Sequence, residues 1–327
     1  MPDILADLGV LALGSRLKRL AERLQSDASQ VWLDKGYAFQ PGNFPLLAAL
    51  DRYGPMTVSE AVSVLGVSQP AVTRSLATLV EQGYAVAVAD PHDRRQKRIA
   101  LTPMAIESMP AIKRTVWSFV EVAAADLCGD AKAFLDQISR IEAALAAQPL
   151  IDRARNACVI LDYHDDLAGD FYTINAEWIR SMFRMEATDE KVLSDPRGMI
   201  IDRGGHILFA ALGDMGVVGT CALMPIEQGV FELTKMGVLE MARGRKVGEQ
   251  LLDAVLERAR AMAMRELFLL TSRKCTAAIH LYEKLGFRHD ADIMERFGKR
   301  YARCDVAMAY PLASANGEPV AEDGVAC

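Results

Sequence analysis

The apolar residues of the first 148 positions recur at helical spacing. A stripe of isoleucine and leucine along residues 3–24 predicts an amphipathic helix, and similar patterns predict five more helices. These further helices are expected at about residues 43–53, 57–66, 68–82, 103–127 and 130–147. Thr57 and Glu60 have the spacing of a capping box, and Ser68 is expected to cap the helix that follows. This part of the chain is therefore predicted to be mostly α-helical.

Two of the short helices, joined at Gly66, have the spacing of a helix-turn-helix. In the second of them an apolar stripe is expected to face inward, and it consists of Val72, Leu76, Leu79 and Val80. Polar side chains are left to face outward, namely Gln69, Thr73, Arg74 and Thr78. Glutamine and arginine pair with adenine and guanine edges in the major groove, so DNA binding is one interpretation. The other is an ordinary helical pair with a solvated polar face.

Two predicted strands follow, at residues 84–89 and 97–102. A basic run starts in the loop between them and continues into the second strand. Four of the five residues from Arg94 to Arg98 are basic. Beside a helix-turn-helix, such a hairpin is best interpreted as a wing that places arginine on a phosphate or in the minor groove.

From residue 149 the pattern changes. Residues 149–157 break the helical periodicity and are predicted to be a linker, and residues 313–327, rich in Ala, Gly, Ser and Pro, are expected to be disordered. Strands are expected at about residues 158–163, 206–212, 217–224, 230–239, 267–271, 287–290 and 303–310. Helices are expected at about residues 170–184, 188–194, 247–264 and 276–285. Strands that first follow one another and then alternate with helices predict an α/β domain with a mixed sheet.

Length and composition fit a globular protein of two domains, with 327 residues of which 51% are hydrophobic. The net charge is −6, with 15 basic and 16 acidic residues up to position 150 and 22 and 27 thereafter. This global charge argues against a general polyanion binder but leaves a local basic patch open. No apolar run reaches the length of a membrane span, and the N-terminus lacks the layout of a signal peptide. Six scattered cysteines without a Cys-x-x-Cys pair indicate a cytoplasmic protein with free thiols, and no metal site is expected.

The stretch Phe231–Leu252 joins a predicted strand to a predicted helix through a basic turn, Arg243–Gly248. Unpaired N–H groups and partial positive charge at a helix N-terminus suit a pyrophosphate, and glycines permit close approach. The alternative is a polar helix start with ordinary surface arginines.

The segment VSQPAVTRSLATLVEQGYAVAVADPHDRRQKRIALT resembles the winged-helix core of the MarR family of regulators, and the resemblance extends over about residues 1–148. It implies sequence-specific binding to double-stranded DNA by a homodimer formed through terminal helices. The wing arginine that enters the minor groove would be Arg95, with Asp93 bracing the wing. The residues expected to bind DNA are Ser68, Gln69, Pro70, Thr73, Arg74, Asp93, Arg94, Arg95 and Lys97.

The second domain, predicted at residues 158–312, resembles the GNAT family of acetyltransferases over about residues 158–310, through GVVGTCAL, FELTKMGV, RGRKVG and AAIHLYEKLGF. The resemblance implies a mixed central sheet that splays apart near Val238, and acetyl-CoA as cofactor. The chain departs from the family at Lys246, where glycine is usual, and at Ser272, where close relatives tend to have asparagine. The residues expected to bind the cofactor are Met236, Gly237, Val238, Arg243, Gly244, Arg245, Lys246, Val247, Gly248, Ser272, Lys274 and Ala278.

The same resemblance implies the catalytic roles. Tyr282 would protonate the departing CoA thiolate or hydrogen-bond its sulfur, and Glu232 is the candidate base for the acceptor ammonium, directly or through water. A packed tyrosine and an exposed strand carboxylate are the alternatives. Asn175, Glu177 and Trp178 are expected to border the acceptor pocket, whose amine is a small molecule or a protein lysine.

Three functions are consistent with this sequence. The first is a DNA-binding regulator joined to an active N-acetyltransferase. The second is a transcription factor whose second domain senses an acyl-CoA or an amine without turnover. The third is an acetyltransferase whose winged helix has become a dimerisation or docking module.

Overall fold

A computed structural model describes residues 2–89, 97–262 and 264–312. The chain divides into two compact units, residues 1–141 and 142–327, with the division inside a helix. The predicted domain limits at residues 148 and 158 stay predictions. In the part of the chain that the structure describes, no helix is both long and apolar enough to cross a membrane.

The first unit is mainly helical, as its apolar periodicity predicts. Its helices are α1 (Ile4–Asp7), α2 (Leu13–Asp34), α3 (Phe44–Tyr53), α4 (Val58–Leu65), α5 (Gln69–Glu81), α6 (Pro103–Ile112), α7 (Ser118–Cys128) and α8 (Ala131–Ala147). The predicted first helix is broken near Gly9, whose φ of 54° is left-handed. A π-helical turn at Lys113–Trp117 separates α6 from α7 and follows Pro110, which cannot donate a backbone hydrogen bond.

Three short strands complete the first unit: β1 (Met56–Thr57), β2 (Ala85–Ala89) and β3 (Lys97–Leu101). They form an antiparallel sheet in the order β1-β3-β2, so the predicted hairpin is confirmed and gains a third strand. Thr57 and Glu60 make both hydrogen bonds of the predicted capping box, which fixes the start of α4. Gly66 ends α4 in the left-handed conformation, at φ 64°.

The core of the first unit lies between α3, α5, α6 and the small sheet, around Leu47, Leu79 and Ile112. The stripe predicted along residues 3–24 lies outside that core. Its members are between 43% and 82% exposed in the single chain, and they are Ile4, Leu8, Leu11, Leu17, Leu20 and Leu24. Large apolar side chains are also exposed on α7 and α8, including Phe119, Val122 and Phe134.

The second unit is built on one mixed sheet. Its strands are β4 (Cys158–Asp162), β5 (His206–Leu212), β6 (Gly216–Glu227), β7 (Val230–Val238), β8 (Glu266–Thr271), β9 (Arg288–His289) and β10 (Val306–Tyr310). Its helices are α9 (Leu150–Asn156), α10 (Ala168–Met182), α11 (Ala187–Ser194), α12 (Pro196–Met199), α13 (Val247–Ala261), α14 (Thr276–Lys284) and α15 (Ala291–Phe297).

Strand order is β4-β5-β6-β7-β8-β10-β9, and β7 and β8 are its parallel pair. Side chains alternate along each strand between two helical layers. In β5, for example, Leu208 packs in the core with α13, whereas Phe209 packs in the core with α10 and α11. A third cluster, around Phe268 and Phe297, packs α15 against β8 and β10. The mixed α/β architecture predicted for this region is confirmed.

Three helices of the second unit were not predicted. The segment expected to be a linker, residues 149–157, contains α9, which begins after Pro149. Short helices α12 and α15 also form in segments where the sequence indicated no element. Pro196 begins α12, and the Asp290 side chain accepts a hydrogen bond from Ile293 N at the start of α15, so local capping explains both helices.

Candidate functional sites

The central feature of the second unit is the divergence of β7 from β8. The two strands pair only from Val230 to Leu233 of β7, whereas β7 stays paired with β6 as far as Val238. The edge of Thr234–Val238 that faces away from β6 therefore has no strand partner within the described residues. The splayed sheet predicted near Val238 is present, and the split begins at Leu233.

A cavity of about 500 Å³ lies at this split. Its walls include residues 233–238 of β7, residues 269–272 at the end of β8, and the first turns of α14. Eight of the twelve predicted cofactor-binding residues line this cavity. They are Met236, Gly237, Val238, Arg243, Gly248, Ser272, Lys274 and Ala278.

Tyr282 also lines the cavity, from α14, and it is 6% exposed. Its ring packs edge-on against Phe287, with ring centroids 5.8 Å apart. Burial raises the pKa of the Tyr282 phenol well above its ordinary value, so the group keeps its proton at neutral pH. A buried, protonated phenol on the cavity wall is able to donate a proton and unable to act as a base.

The basic turn leads into α13, as predicted. Lys246 is the N-cap residue of α13 at φ 58°, so it takes the left-handed conformation that glycine adopts most readily. Gly244 precedes it at φ 81°. The first backbone N–H groups of α13 have no intrahelical partners, as at the start of any α-helix. Gly248, in this first turn, lines the cavity.

Arg245 does not face the cavity. Its guanidinium donates hydrogen bonds to Asp214 at 3.0 Å, to the side-chain oxygen of Asn156 at 3.0 Å and to the backbone oxygen of Arg155 at 3.3 Å. These contacts fasten the turn to α9 and to the β5–β6 connection. The Arg245 side chain therefore holds the turn in place, and the cofactor-binding role expected for this residue stays a prediction.

The three residues expected at the acceptor pocket take different positions. Trp178 lines the cavity, while Asn175 lies fully buried behind it and accepts a hydrogen bond from Trp178 Nε1 at 3.1 Å. Gly237 lets the indole lie against β7, because a Cβ at that position would be 2.6 Å from Trp178 Cδ1. Glu177 is exposed and accepts a hydrogen bond from Glu240 N at 3.4 Å, so it caps the turn before the basic loop.

A buried cluster of charges adjoins the same cavity. Asp189 of α11 is fully buried and accepts hydrogen bonds from Lys235 Nζ at 2.6 Å and from both terminal nitrogens of Arg303, at 2.6 and 2.8 Å. Arg303 also donates to Glu186 at 3.0 Å. Burial alone would raise the pKa of Asp189, but these donors lower it to about 2. Burial lowers the pKa of Lys235, and Asp189 opposes that effect.

Glu232 is buried on β7, 1% exposed, so it is not the exposed strand carboxylate that was the alternative interpretation. It is absent from the cavity wall. Arg300 Nε lies 3.4 Å from its Oε2, and within the described residues neither carboxylate oxygen accepts a hydrogen bond of standard geometry. Burial raises the pKa of Glu232, and Arg300 and Lys235 counteract this. Tyr301 lies on the cavity wall, where burial raises the pKa of its phenol and the nearby Glu232 raises it further.

In the first unit, α5 presents an exposed polar surface. Ser68, Gln69, Pro70, Thr73 and Arg74 are all exposed, as is Lys97 at the start of β3. Ser68 is the N-cap residue of α5, but its side chain makes no capping hydrogen bond, contrary to the prediction.

The predicted inward stripe of α5 is correct in part. Val72 and Leu79 are buried and Leu76 is half-buried, but Val80 is 46% exposed. The hydroxyl groups of Thr73 and Thr78 donate to carbonyl oxygens one turn earlier in the helix. The predicted wing residues Asp93, Arg94 and Arg95 lie outside the described residues.

Comparison with known proteins decides the families. Residues 39–96 match the model of the MarR family, and residues 162–287 match the model of the acetyltransferase (GNAT) family. The chain joins a MarR-family region to a GNAT-family region. The GNAT region contains the split between β7 and β8, most of the cavity wall and Tyr282, and the MarR region contains α5 and the first strand of the hairpin.

Similar proteins of known sequence or structure match the second region. The uncharacterized N-acetyltransferase YjgM of Escherichia coli K12 is 32% identical over 93 residues, which are 28% of this chain and 56% of that protein. The chain thus spans little more than half the length of this curated relative. A GNAT-family acetyltransferase of Staphylococcus aureus Mu50 is 22% identical, with 48% of this chain and all of that chain covered and a TM-score of 0.44. The PaiA N-acetyltransferase of Thermoplasma acidophilum, solved in complex with coenzyme A, is 14% identical, with 47% and 98% covered and a TM-score of 0.37.

The charge cluster of the second unit was not predicted from the sequence. Lys235, Tyr301 and Arg303 line the cavity and Asp189 lies behind it, but none of them was singled out. The pairing of β6 with β7 skips a residue, because Thr220 is opposite Gly237 and Ala222 is opposite Thr234. This bulge and the left-handed φ of Lys235, 53°, turn the lysine toward α11. A positively charged residue inside an apolar strand was the available signal.

Proposed function

We propose that the GNAT region is an acetyl-CoA-dependent N-acetyltransferase that acts on an amine, and that the MarR region is a sequence-specific DNA-binding regulator. The observation that carries the enzymatic proposal is the split between β7 and β8. It opens the backbone edge of Thr234–Val238 onto a cavity that has the protonated phenol of Tyr282 in its wall. Both ligands, DNA and acetyl-CoA, favour a cytoplasmic location.

The residues of the cavity fit acetyl-CoA. The free edge of β7 offers N–H and C=O groups to the amides of a pantetheine arm, chiefly at Met236 and Val238. The turn Arg243–Gly248 offers backbone N–H groups at a helix N-terminus, which suits a pyrophosphate, and Arg243 adds positive charge at the cavity. Ser272, Lys274 and Ala278 would border the bound molecule from the opposite wall. Arg245 would contribute its backbone and not its side chain.

The proposed chemistry divides the proton transfers between two groups. Acetyl-CoA, when bound, supplies an acetyl group whose C–S bond breaks as the C–N bond to the amine forms. Tyr282 would donate its phenolic proton to the departing sulfur and would regain one from the nitrogen, which loses a proton as the amide forms. Glu232 remains our candidate for accepting the ammonium proton. Because its carboxylate lies beside the wall residue Tyr301 and not in the wall, that proton would pass through Tyr301 or a water molecule.

The acceptor side of the cavity has Trp178 in its wall. Asn175 would act as a positioning residue, because its side chain holds the indole through one hydrogen bond. Glu177 would remain at the rim, where it caps the neighbouring turn.

For the MarR region, the exposed polar face of α5 supports a role in the major groove. Gln69, Thr73 and Arg74 would contact base edges, with Ser68, Pro70 and Lys97 close to the phosphate backbone. The wing assignments to Asp93, Arg94 and Arg95 remain predictions. The exposed apolar stripes of α1, α2, α7 and α8 support a homodimer, because burying them against a second copy would remove large apolar surfaces from water.

One observation favours a second candidate function for the GNAT region, a non-catalytic sensor of an acyl-CoA or an amine. The candidate base, Glu232, is outside the cavity wall. A cavity that binds the cofactor but lacks an effective base would bind without turnover.

The deciding experiment uses the purified full-length protein, acetyl-CoA and a broad panel of amines, with acetylated products identified by mass spectrometry. Turnover of at least one amine, reduced in Tyr282→Phe, supports the enzyme. Acetyl-CoA binding without turnover of any amine supports the sensor. Selection from random DNA followed by titration tests the MarR half, and absence of specific binding would favour a docking role for that region.

A further inference from the structure

The charges on the cavity wall are all of one sign. The charged residues that line it are Lys235, Arg243, Lys274 and Arg303, and no aspartate or glutamate of the described residues lines it. Arg243 belongs to the basic turn and Lys274 is a candidate cofactor-binding residue, so both charges are assigned to the cofactor side. Lys235 and Arg303 remain for the acceptor side, where both lie over the ring of Tyr301.

The carboxylates near these cations lie behind the wall. Lys235 and Arg303 share the carboxylate of Asp189, and Arg303 also contacts Glu186. The buried Glu232 also attracts Lys235. Within the described residues the wall itself therefore presents cations and no carboxylate that could bind an acceptor ammonium directly.

Two aromatic rings of the cavity wall, those of Phe183 and Tyr301, already have cations of the chain over them. Arg303 and Lys274 lie over the ring of Phe183, at 5.6 and 5.7 Å from its centroid. Lys235 and Arg303 lie over the ring of Tyr301, both at 5.4 Å. These rings would otherwise bind an ammonium through cation–π attraction, but the chain's own cations already use them.

Lys235 retains donor capacity that the chain does not use. An ammonium group has three N–H donors, and the described residues accept from one of them, at Asp189. The Lys235 side chain is 2% exposed, so bulk water has little access to the remaining donors. Buried donors normally have an acceptor, and Lys235 is one of the residues that line the cavity.

We infer that the acceptor is a small amine that also carries a carboxylate, as amino acids do, and that Lys235 and Arg303 bind this carboxylate. The inference rests on the proposed acetyltransferase function. Lys235 directly precedes Met236 on the open edge of β7, so the anion lies close to the reacting amine and the substrate is short. Asp189 is a positioning residue that holds both cations at the wall.

The test compares matched pairs that differ in one group. Full-length protein with saturating acetyl-CoA is assayed by mass spectrometry against the α-amino acids, β-alanine and 4-aminobutyrate, each paired with its carboxamide. We expect at least one acid to exceed its carboxamide tenfold in kcat/KM. Equal or better turnover of every carboxamide overturns the inference while leaving the acetyltransferase proposal intact.

A binding measurement separates this inference from the proposed function. CoA-loaded protein is titrated calorimetrically with the N-acetylated acids and N-acetylated carboxamides of the same panel. A tenfold preference for an acid without turnover of any amine keeps the carboxylate site and rejects the enzyme. If no amine is turned over and the titration shows no binding, or no preference for any acid over its carboxamide, the inference is overturned.

Two variants test whether Lys235 and Arg303 bind the carboxylate. Lys235→Met is expected to lower kcat/KM for the preferred acid at least tenfold, and to change that for its carboxamide less than threefold. Arg303→Lys keeps the charge but loses the paired donors, so it should raise KM for the acid with little change in kcat. Lys191→Met, at an exposed lysine two residues from Asp189, is the control. Equal losses for acid and carboxamide in both variants would show a purely structural role and reject the assignment.

Discussion

Arg300 Nε lies 3.4 Å from Oε2 of Glu232, a buried carboxylate to which no other basic side chain is this near in the described residues. Burial raises the pKa of Glu232 and the guanidinium lowers it, so removal of the guanidinium raises that pKa further. If Glu232 is the base, activity falls as pH decreases through its pKa. Arg300→Gln should therefore move the acidic limb of the kcat/KM profile to higher pH, and Arg288→Gln, at an exposed arginine, should not.

The matching test removes the carboxylate itself. Glu232→Gln should lower kcat about 100-fold, as expected for loss of a general base, and the acidic limb should disappear. The profile is measured with the amine that the wild type acetylates best. An unchanged rate in Glu232→Gln would leave Glu232 a structural residue and would assign proton removal to another group.

Replacement of Tyr282 by phenylalanine tests the proposed proton donor. We expect kcat to fall about 100-fold, because the leaving sulfur loses its acid, while the Kd of acetyl-CoA changes less than threefold. The ring contact with Phe287 is preserved in Tyr282→Phe, so stability should change little. Tyr310→Phe is the control, since Tyr310 also packs against Phe287 but is not in the cavity wall. Equal rates for the wild type and Tyr282→Phe would remove this residue from catalysis.

Asp189→Asn should destabilise the second unit by about 3–5 kcal/mol at pH 7, because two buried cations lose their shared carboxylate. The pKa of Asp189 is lowered to about 2, so its contribution is present above about pH 4 and is lost as pH falls toward 2. The difference between wild type and variant in urea unfolding should therefore shrink over this range. Asp253→Asn, at an exposed position of α13, controls for charge. A difference independent of pH would contradict this assignment.

Lys246→Gly addresses the departure from the family at the basic turn. A non-glycine residue at φ 58° costs about 1–2 kcal/mol, and glycine adds about 0.5–1 kcal/mol of entropic cost, so the variant should be more stable by about 0.5–1 kcal/mol. The Kd of acetyl-CoA should stay within threefold, since only the backbone is required there. Gly244→Ala is the converse variant: it has open space for a Cβ but φ 81°, and it should destabilise by about 1 kcal/mol. A tenfold weaker Kd in Lys246→Gly would show that the lysine side chain contacts the cofactor.

In the MarR region, Arg74→Ala should weaken binding to a selected DNA site at least tenfold and relax the base preference at one position. Lys97→Ala should weaken specific and non-specific binding alike and lower the slope of log K against log salt by about one. Fluorescence titrations at several salt concentrations measure both effects. Arg52→Ala, an exposed arginine on α3, should bind as the wild type does. Unaltered binding by Arg74→Ala would place the recognition surface elsewhere.

The sequence was sufficient for those parts of the fold that depend on local periodicity and capping. The Thr57–Glu60 capping box, the end of α4 at Gly66 and the strand Val230–Val238 are all local patterns, and the structure has them within about one residue. Val80 and Ser68 show the limit of this approach. Helical periodicity assigned Val80 to the core and capping preference gave Ser68 a hydrogen bond, but tertiary packing decides burial and side-chain rotation.

The residues of the candidate site likewise fall into those that local sequence patterns predict and those that only tertiary packing brings together. Tyr282 and Gly248 belong to contiguous motifs, so sequence alone located them on what proved to be one cavity. Asp189, Lys235 and Arg303 come from separate elements, and strict alternation would put Lys235 on the same face as Leu233, in the core beneath α13. The bulge that redirects this lysine depends on the pairing of β6 with β7, which no local pattern of the sequence encodes.

The unpaired edge of Thr234–Val238 has a consequence for the folding equilibrium. A ligand that hydrogen-bonds along this edge acts as a missing strand, and it has no such edge to bind in the unfolded chain. At a hundred times its Kd, such a ligand adds about 2.7 kcal/mol to the free energy of unfolding. Under the proposed function, bound acyl-CoA would therefore slow proteolysis of the second unit.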